Sequence, residues 1–182
     1  MLFDCDGTLV DTVGAHTEAW AAALHLHGRP RDPDWFRSRA GLSSADVLAE
    51  LAVVEPGLDA AAVDGARRAE LGRALPQVRA ISVVAALARR LVAAGVPVAV
   101  ASGGSRANVV ASLAAAGLDA LLPVVVTRDD VARGKPAPDV FLAAAAQLGV
   151  DPLGCVVYED SDEGLAAAAA AGMRAVDVRP YR

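Results

Sequence analysis

Short apolar runs alternate with helical stretches from residue 80 onward, and this alternation is the feature that most constrains the fold of the chain. Runs rich in β-branched residues predict four strands, at residues 96–101, 122–126, 154–158 and 174–178. Helical periodicity predicts four helices, at residues 83–94, 105–116, 138–148 and 162–171. Strands that alternate with helices in this way pair in parallel, because each crossover helix lies on a face of the sheet.

A further apolar run at residues 2–5 predicts one more strand, far from the others in the sequence. Only Met1, Leu2 and Phe3 stand before the first carboxylate, so this strand is expected to be unusually short. With it, the five strands predict an α/β fold built on a Rossmann-like, doubly wound, five-stranded parallel sheet.

Residues 13–79 differ in character from the rest of the chain. No convincing strand occurs there, and helical periods bounded by glycine and proline cover residues 16–27, 43–53 and 59–74. We therefore predict two domains. Residues 1–12 and 80–182 form a discontinuous α/β core domain, and residues 13–79 form an all-helical cap domain inserted after the first strand.

Charge and hydropathy argue against two classes of partner. The net charge is −5 and the arginines are spread along the chain, so no basic surface for nucleic acid is expected. No apolar run approaches the roughly 18 residues of a membrane span, and no signal peptide is expected at the N-terminus.

The two cysteines, Cys5 and Cys155, lie in predicted strands and are expected to be buried free thiols in a reducing cytoplasm. We expect a cytoplasmic monomer without a nucleic-acid or membrane partner.

Two carboxylates, Asp4 and Asp6, follow the first predicted strand and run into a turn at Gly7 and Thr8. This arrangement suits a carboxylate nucleophile with an acid/base group beside it, at the mouth of a sheet. Lys135 is a second distinctive feature, because it is the only lysine among 17 basic residues. Its compact ammonium with three donors suits a phosphate site.

The later predicted strands are also followed by residues that can bind phosphate or metal. Ser102 and Gly103 come after the second strand, at the start of a helix whose backbone amides can cradle a phosphate. Lys135 follows the third strand, and Glu159 and Asp160 follow the fourth. Ligands of an open parallel sheet bind beyond the carboxyl ends of its strands, so these residues are predicted to meet at one edge.

Four motifs in this order resemble those of the haloacid dehalogenase superfamily, and they lie at residues 3–11, 98–102, 135–139 and 156–164. The chain resembles the phosphatase and phosphomutase branch with a helical C1 cap. Within that branch it looks most like bacterial sugar-phosphate phosphatases of the fructose-1-phosphate type, close to the β-phosphoglucomutase-like subfamily. The resemblance covers nearly the whole chain.

The resemblance implies a role for each residue at the sheet edge. Asp4 would attack phosphorus and form an aspartyl phosphate, and Asp6 would protonate the leaving alkoxide and then activate water. Ser102 and the amide of Gly103 would hold phosphate oxygens. Lys135 would neutralise the phosphate and the Asp4 carboxylate.

The resemblance also implies a Mg²⁺ site. Its ligands would be Asp160, an oxygen of Asp4 and the carbonyl of Asp6, with Glu159 nearby in support. Several carboxylates facing a phosphate would repel it in the absence of a cation. The implied function is Mg²⁺-dependent hydrolysis of a small sugar phosphate, and the expected partner is a small phosphorylated metabolite.

The helical insertion offers fewer clear candidates. His16 lies ten residues after Asp6, and a histidine in related enzymes approaches the substrate or steadies the acid/base there; a solvent-facing histidine is the alternative. Trp20, one turn later, is either a core residue or a platform for substrate. Arg37 and Arg39 are either exposed or reach the pocket.

Several other functions remain open. A β-phosphoglucomutase-like phosphomutase shares the core chemistry, although Ser44 stands where its cap has an arginine for the distal phosphate. Dehalogenation is disfavoured because that branch needs neither the Asp6 acid/base nor a Mg²⁺ site. Phosphonate cleavage through a lysine of the cap is excluded, since residues 13–79 contain no lysine. The alternatives from other classes are a signalling phospho-acceptor domain and a catalytically silent binding module.

Overall fold

Five parallel strands form the sheet predicted from the sequence. The computed structural model describes residues 1–39 and 42–181, and its strands lie in the order β3-β2-β1-β4-β5. Their bounds are Leu2–Phe3 for β1, Ala99–Ala101 for β2, Val125–Val126 for β3, Val156–Glu159 for β4 and Arg174–Asp177 for β5. Strands β2 and β3 are added on one side of β1, and β4 and β5 on the other. The sheet is therefore doubly wound, as predicted, and its switch point lies between β1 and β4.

The strands are shorter than the apolar runs that predict them. The run at residues 122–126 pairs only over Val125–Val126, although Leu122 is fully buried. Periodicity reports burial and not hydrogen bonding, so a buried loop residue extends the apparent strand. The first strand spans two residues, as its short apolar run leads one to expect.

Helices cover both faces of the sheet, and each face has its own apolar cluster. The four helices are α5 (Ser82–Ala93), α6 (Arg106–Ala115), α7 (Asp139–Leu148) and α8 (Asp162–Ala170). Neighbouring strand residues point to opposite faces. Phe3 accordingly belongs to the cluster that includes Val84 of α5 and Val109 of α6, whereas Leu2 belongs to the cluster with Phe141 of α7.

Residues 13–79 contain helices α1 to α4, with bounds Val13–Leu26, Pro33–Arg37, Ser44–Val54 and Ala60–Ala74. A third apolar cluster lies within this segment and includes Trp20, Leu51 and Val63. Helix α2 was not predicted, but Asp32 caps it and Pro33 opens it, which is a usual start signal. The segment therefore has its own core, while the division into cap and core domains stays a prediction.

Two expectations from composition concern membranes and thiols. Among the described residues, none of the helices combines the length and the apolar character that a membrane span requires. Cys5 and Cys155 are both buried and free, as the sequence predicts.

The turn after β3 is held by Asp130. Its Oδ2 atom accepts hydrogen bonds from the Thr127 amide (2.7 Å), the Thr127 hydroxyl (2.8 Å) and Arg106 Nη2 (2.6 Å). Partial burial raises the pKa of Asp130, but the hydrogen bonds from Thr127 and Arg106 outweigh it and hold this pKa below its usual range. The ionised carboxylate is therefore the form that stabilises the turn.

Asp130→Asn is expected to lower the free energy of unfolding by about 1 kcal/mol at neutral pH, because a neutral amide weakens these hydrogen bonds. The folded pKa lies below the unfolded value of about 3.9, so the contribution is present above the unfolded pKa. It is lost as the pH falls through the folded pKa. Urea unfolding from about pH 7 to about pH 3 should show the difference from wild type shrinking. Asp119→Asn, at an exposed position, is the control; a difference independent of pH would contradict this account.

Candidate active site

The lone lysine lies between two carboxylates at the edge of the sheet. Asp4 directly follows β1, and its amide donates to the Tyr158 carbonyl of β4 (3.0 Å). Lys135 Nζ is 2.6 Å from Asp4 Oδ1 and 2.8 Å from Glu159 Oε1. All three side chains are buried. The lysine singled out by its rarity thus contacts the candidate nucleophile, 131 residues away in the sequence.

Burial dominates the electrostatics of this cluster. It raises the pKa of Asp4 well above its usual range, the negative charge of Glu159 adds to the effect, and Lys135 opposes it. Burial lowers the pKa of Lys135, but Asp4 and Glu159 outweigh this effect and raise the pKa, so the ammonium stays charged. With the buried Asp160 included, three carboxylates lie beside one ammonium. The cluster has a deficit of positive charge.

The Glu159 carboxylate is saturated with hydrogen bonds. Its Oε1 accepts from Lys135 Nζ and from the Ser161 hydroxyl (2.9 Å). Its Oε2 accepts from the amides of Asp160 (2.6 Å) and Ser161 (3.4 Å). An ionised carboxylate has about four acceptor sites, and four donors occupy them here. This arrangement favours Glu159 as the residue that orients Lys135 and the turn after β4, beside a metal and not on it.

The residues at this edge fit a divalent cation. Asp4, Glu159 and Asp160 each place a carboxylate oxygen within 4.8 Å of the others, and all three are buried. Thr8, which is fully buried, orients Asp160 by donating from Oγ1 to Oδ1 (3.0 Å). Oxygen ligands and uncompensated negative charge suit a divalent cation, so these residues could hold one.

Asp6 lies in a different environment from Asp4. Gly7, with a φ of 82°, turns the chain directly after it, in a conformation that glycine adopts readily. Asp6 Oδ1 accepts a hydrogen bond from Thr12 Oγ1 (2.7 Å) and lies 3.5 Å from His16 Nε2, without hydrogen-bond geometry. Burial raises the pKa of Asp6, but the contacts with His16 and Thr12 outweigh it and lower the pKa. The two aspartates thus have pKa values shifted in opposite directions.

Helix α1 presents its N-cap residue and two of its own residues to the site. Thr12, His16 and Trp20 are spaced four apart and therefore lie on one face of the helix. Thr12 stands at the N-cap position of α1, yet its hydroxyl does not cap the helix and donates to Asp6 instead. The start of the helix is thereby used to position a carboxylate.

The Ser-Gly-Gly turn after β2 lies next to Asp6. The Ser102 amide donates to the Val126 carbonyl (2.9 Å), and Ser102 Oγ accepts from the Gly104 amide (3.0 Å) and approaches Asp6 Oδ2 (3.5 Å). A Cβ atom at Gly104 would lie 3.1 Å from Val109 Cγ2, 3.2 Å from Asp6 Oδ2 and 3.3 Å from Ser102 Oγ, so a larger residue would require these neighbours to shift by a few tenths of an ångström. The predicted phosphate cradle is therefore built around the acid/base candidate.

One cavity, of about 70 Å³, lies between residues 13–79 and the edge of the sheet. All eight residues predicted as site residues line it: Asp4, Asp6, His16, Ser102, Gly103, Lys135, Glu159 and Asp160. Trp20 is both a core residue and a wall of the cavity, since it stacks on Phe36 with ring centroids 5.7 Å apart. Arg39 lines the cavity, whereas Arg37 is exposed and pairs with Asp34.

Sequence reasoning missed Thr8, Thr12 and Asn108 as residues of the site. Thr8 and Thr12 are fully buried and donate to Asp160 and Asp6, and Asn108 lines the cavity from α6. The only signal for the two threonines is a hydroxyl within a few residues of the carboxylates in the first motif, and Asn108 has no such signal. Hydroxyls in that position are also common in turns and helix caps, so the pattern alone does not assign them.

Comparison with known proteins identifies the family. The protein-family model described as "Hydrolase: haloacid dehalogenase-like hydrolase" matches residues 1–172. Fructose-1-phosphate phosphatase YqaB of Escherichia coli (strain K12) is 38% identical over 184 residues, which cover 98% of this chain and 95% of the relative. Hexitol phosphatase A of the same strain is 35% identical over 189 residues, which cover 97% of this chain and 81% of the relative.

A solved structure agrees with these relatives. The crystal structure of CbbY from Rhodobacter sphaeroides in complex with phosphate has a TM-score of 0.85 and 27% identity, covering 96% of this chain and 83% of that one. The resemblance inferred from four motifs is confirmed, and so is the expected class of enzyme, since the curated relatives named above are phosphatases. This chain belongs to the haloacid dehalogenase-like hydrolases.

Proposed function

We propose that this chain is a cytoplasmic, Mg²⁺-dependent phosphatase that hydrolyses a small sugar phosphate through an aspartyl-phosphate intermediate. Residues 13–79 would act as the cap domain over the core domain of residues 1–12 and 80–182. The observation that carries this proposal is the buried Asp4–Lys135 pair, which shares one cavity with Asp6. Two buried free thiols suit a reducing compartment.

In the first step an oxygen of Asp4 attacks phosphorus while the bond from phosphorus to the ester oxygen breaks. The leaving alkoxide takes a proton from Asp6. The low pKa of Asp6 in the free protein must rise for this role, and the negative charge of a bound phosphate acts in that direction. In the second step Asp6 takes a proton from water, which attacks the aspartyl phosphate, restores Asp4 and releases inorganic phosphate.

The other residues hold the phosphate and balance charge. Ser102 and the Gly103 amide would bind phosphate oxygens at the start of α6, and Lys135 would stabilise the charge that Asp4 and the phosphate share. Asp4, Asp160 and the Asp6 carbonyl would hold Mg²⁺, which when bound supplies the positive charge that this cluster lacks.

A sugar phosphate is proposed from two observations. The relatives that match this chain over most of its length include phosphatases named for fructose 1-phosphate and for hexitols. The part of the cavity formed by residues 13–79 combines the polar side chains of Ser44 and Arg39 with the aromatic wall of Trp20 and Phe36. A polyhydroxylated leaving group with an apolar face matches such a lining.

The test is release of phosphate from fructose 1-phosphate, a hexitol phosphate, β-glucose 1-phosphate and phosphoglycolate, each with Mg²⁺ and with a chelator. Metal-dependent release that is fastest with a sugar phosphate is the expected result. Conversion of β-glucose 1-phosphate to glucose 6-phosphate without release would instead show a phosphomutase. If a folded protein supplied with Mg²⁺ showed neither phosphate release nor this conversion, the proposal would be refuted.

Thr8→Val is expected to raise the Mg²⁺ concentration for half-maximal activity by roughly tenfold, because Asp160 loses the hydroxyl that orients it. The valine fills nearly the same buried volume, so the loss is one of orientation. A metal-activation curve measures the effect. Thr8→Ser keeps the hydroxyl and should remain close to wild type; identical curves for the two variants would contradict a role for this hydrogen bond.

A further inference from the structure

Lys135 lies in a segment without regular secondary structure. Residues 131–138, all of which the structure describes, belong to neither a helix nor a strand. Within these described residues, the Ala137 amide donating to the Gly134 carbonyl (3.0 Å) is the one internal backbone hydrogen bond. The Lys135 ammonium nevertheless lies 2.6 Å and 2.8 Å from its two carboxylate partners. The backbone that carries Lys135 therefore depends on contacts made from outside the segment.

Arg128 makes such contacts from the turn after β3. Its Nη1 atom donates to the Val131 carbonyl (2.7 Å), and its Nη2 atom donates to the Ala132 carbonyl (3.3 Å). The stem of Arg128 lies beside Gly134, where an added Cβ atom would be 3.0 Å from Cδ and 3.1 Å from Nε of the arginine. Arg128 thus contacts three of the four residues that immediately precede Lys135.

The partners of the Arg128 guanidinium differ from those of the nearby arginines. In the described part of the chain Arg128 forms no ion pair, whereas Arg133 pairs with Asp139 and Arg106 pairs with Asp130. A guanidinium that donates to two consecutive carbonyls restrains the main chain directly, because both acceptors belong to the backbone. An ion pair between partly exposed side chains restrains the backbone less, since both side chains can rotate.

The backbone of Arg128 also contacts the predicted phosphate cradle. Its amide donates to the Gly104 carbonyl (3.1 Å), in the turn that holds Ser102. This hydrogen bond uses the main chain and does not depend on the side chain at position 128. A substitution of Arg128 therefore leaves the support of the cradle in place and removes only the contacts to the segment of Lys135.

We infer that Arg128 is a positioning residue for Lys135, which it reaches through two backbone carbonyls and Gly134. Arg128 itself is not among the residues that line the cavity. The inference rests on the proposed function, in which Lys135 stabilises the charge that Asp4 and the phosphate share. A group that stabilises this charge must be held at the correct distance, and a misplacement of about 1 Å can reduce the rate by as much as about a hundredfold.

Arg128→Ala is expected to lower kcat for the best sugar phosphate about tenfold and to change KM by less than about threefold. The kcat falls because Lys135 acts on the transition state. The KM changes less because the amide of residue 128 still supports the cradle. Arg89→Ala, the same change at an exposed position of α5, is the control and should match the wild type in both constants.

The lysine itself gives a readout that does not depend on activity. Lysine labelled with ¹⁵N at Nζ yields a single side-chain ammonium signal in an NMR spectrum, because the chain contains one lysine. The position of this signal depends on the hydrogen bonds of Nζ with Asp4 and Glu159. With Mg²⁺ and without substrate, Arg128→Ala should move the signal and Arg89→Ala should not. A change in stability alone would leave the signal of the folded protein at its wild-type position.

Gly134→Ala tests the same contact from the opposite side. Among the described residues other than its chain neighbours, the added Cβ atom would meet only the Arg128 side chain within 4 Å. In the wild-type background this change should lower kcat about threefold and move the Lys135 signal. In the Arg128→Ala background it should do neither, because the side chain that it displaces is absent. Should Arg128→Ala unfold in a thermal scan, Gly134→Ala in the wild-type background decides by the same signal.

A Lys135 signal that keeps its wild-type position in Arg128→Ala would overturn the inference, whether or not kcat falls. An unchanged kcat would overturn it as well, and either result would leave the proposed function intact. Equal effects of Gly134→Ala in both backgrounds would also overturn it, because Gly134 would then act without Arg128. A wild-type chain that releases no phosphate would overturn the proposed function instead, and the NMR comparison would still decide whether Arg128 positions Lys135.

Discussion

Asp4→Asn is expected to reduce phosphate release by at least about a thousandfold, because an amide cannot form the covalent bond to phosphorus that the carboxylate forms. The substitution is nearly isosteric, and its amide oxygen can still accept the hydrogen bond from Lys135. Since burial raises the pKa of Asp4, removing this charge relieves a buried cluster of three carboxylates. The variant should therefore fold and retain a melting temperature close to that of the wild type.

The matched control is Asp11→Asn, the same chemical change at an exposed carboxylate in the same segment. It should leave both activity and melting temperature near wild type. Initial rates with the best substrate of the panel, together with thermal scans, measure both properties. If the Asp4→Asn variant kept a rate within about tenfold of the wild type, a group other than Asp4 would have to attack phosphorus.

Gly164→Ala is expected to remove most of the activity and to lower the free energy of unfolding by roughly 2–4 kcal/mol. Gly164 is buried in the first turn of α8, and a methyl group there would overlap the Glu159 carboxylate. That carboxylate carries four hydrogen bonds, including the one that fixes Lys135. Displacing it would leave two amides without this acceptor and the buried ammonium with Asp4 as its remaining carboxylate partner.

Gly65→Ala is the control for the backbone effect of the substitution. Gly65 lies within α4, and a Cβ atom there meets nothing within 4 Å. Alanine should stabilise that helix by about 0.5–1 kcal/mol. The midpoint of urea unfolding should thus move in opposite directions from the wild type for the two variants, and only Gly164→Ala should lose activity. A Gly164→Ala protein as stable and as active as wild type would contradict the proposed support of Lys135 by Glu159.

Much of the site could be predicted from the sequence because the fold brings strand ends together by rule. Asp4, Ser102, Lys135 and Asp160 each follow a different predicted strand, and parallel strands of a doubly wound sheet share one carboxyl edge. Once the alternation of strands and helices is recognised, the convergence of these residues needs no further information. The role that each one performs is a proposal that the variants above test.

The strand lengths could not be predicted in the same way. Leu122 is as deeply buried as Val126 of β3, although it forms no part of that strand. Hydrophobic patterning reflects removal from water, and backbone pairing depends on the neighbouring strand. The sequence pattern therefore predicts which residues are buried more reliably than it predicts which residues form the hydrogen bonds between strands.

The sequence by itself determined the order of the strands and of the helices other than α2, the carboxylates and the lysine of the site, and the family resemblance that the comparison confirmed. The tertiary structure alone decided where the supporting side chains point. Thr8 donates to Asp160 across 152 residues, and Arg39 lines the cavity while Arg37 lies outside it. Local pattern governs backbone periodicity, but the partner of a hydroxyl or a guanidinium is set by which distant elements pack against it, and no local rule contains that information.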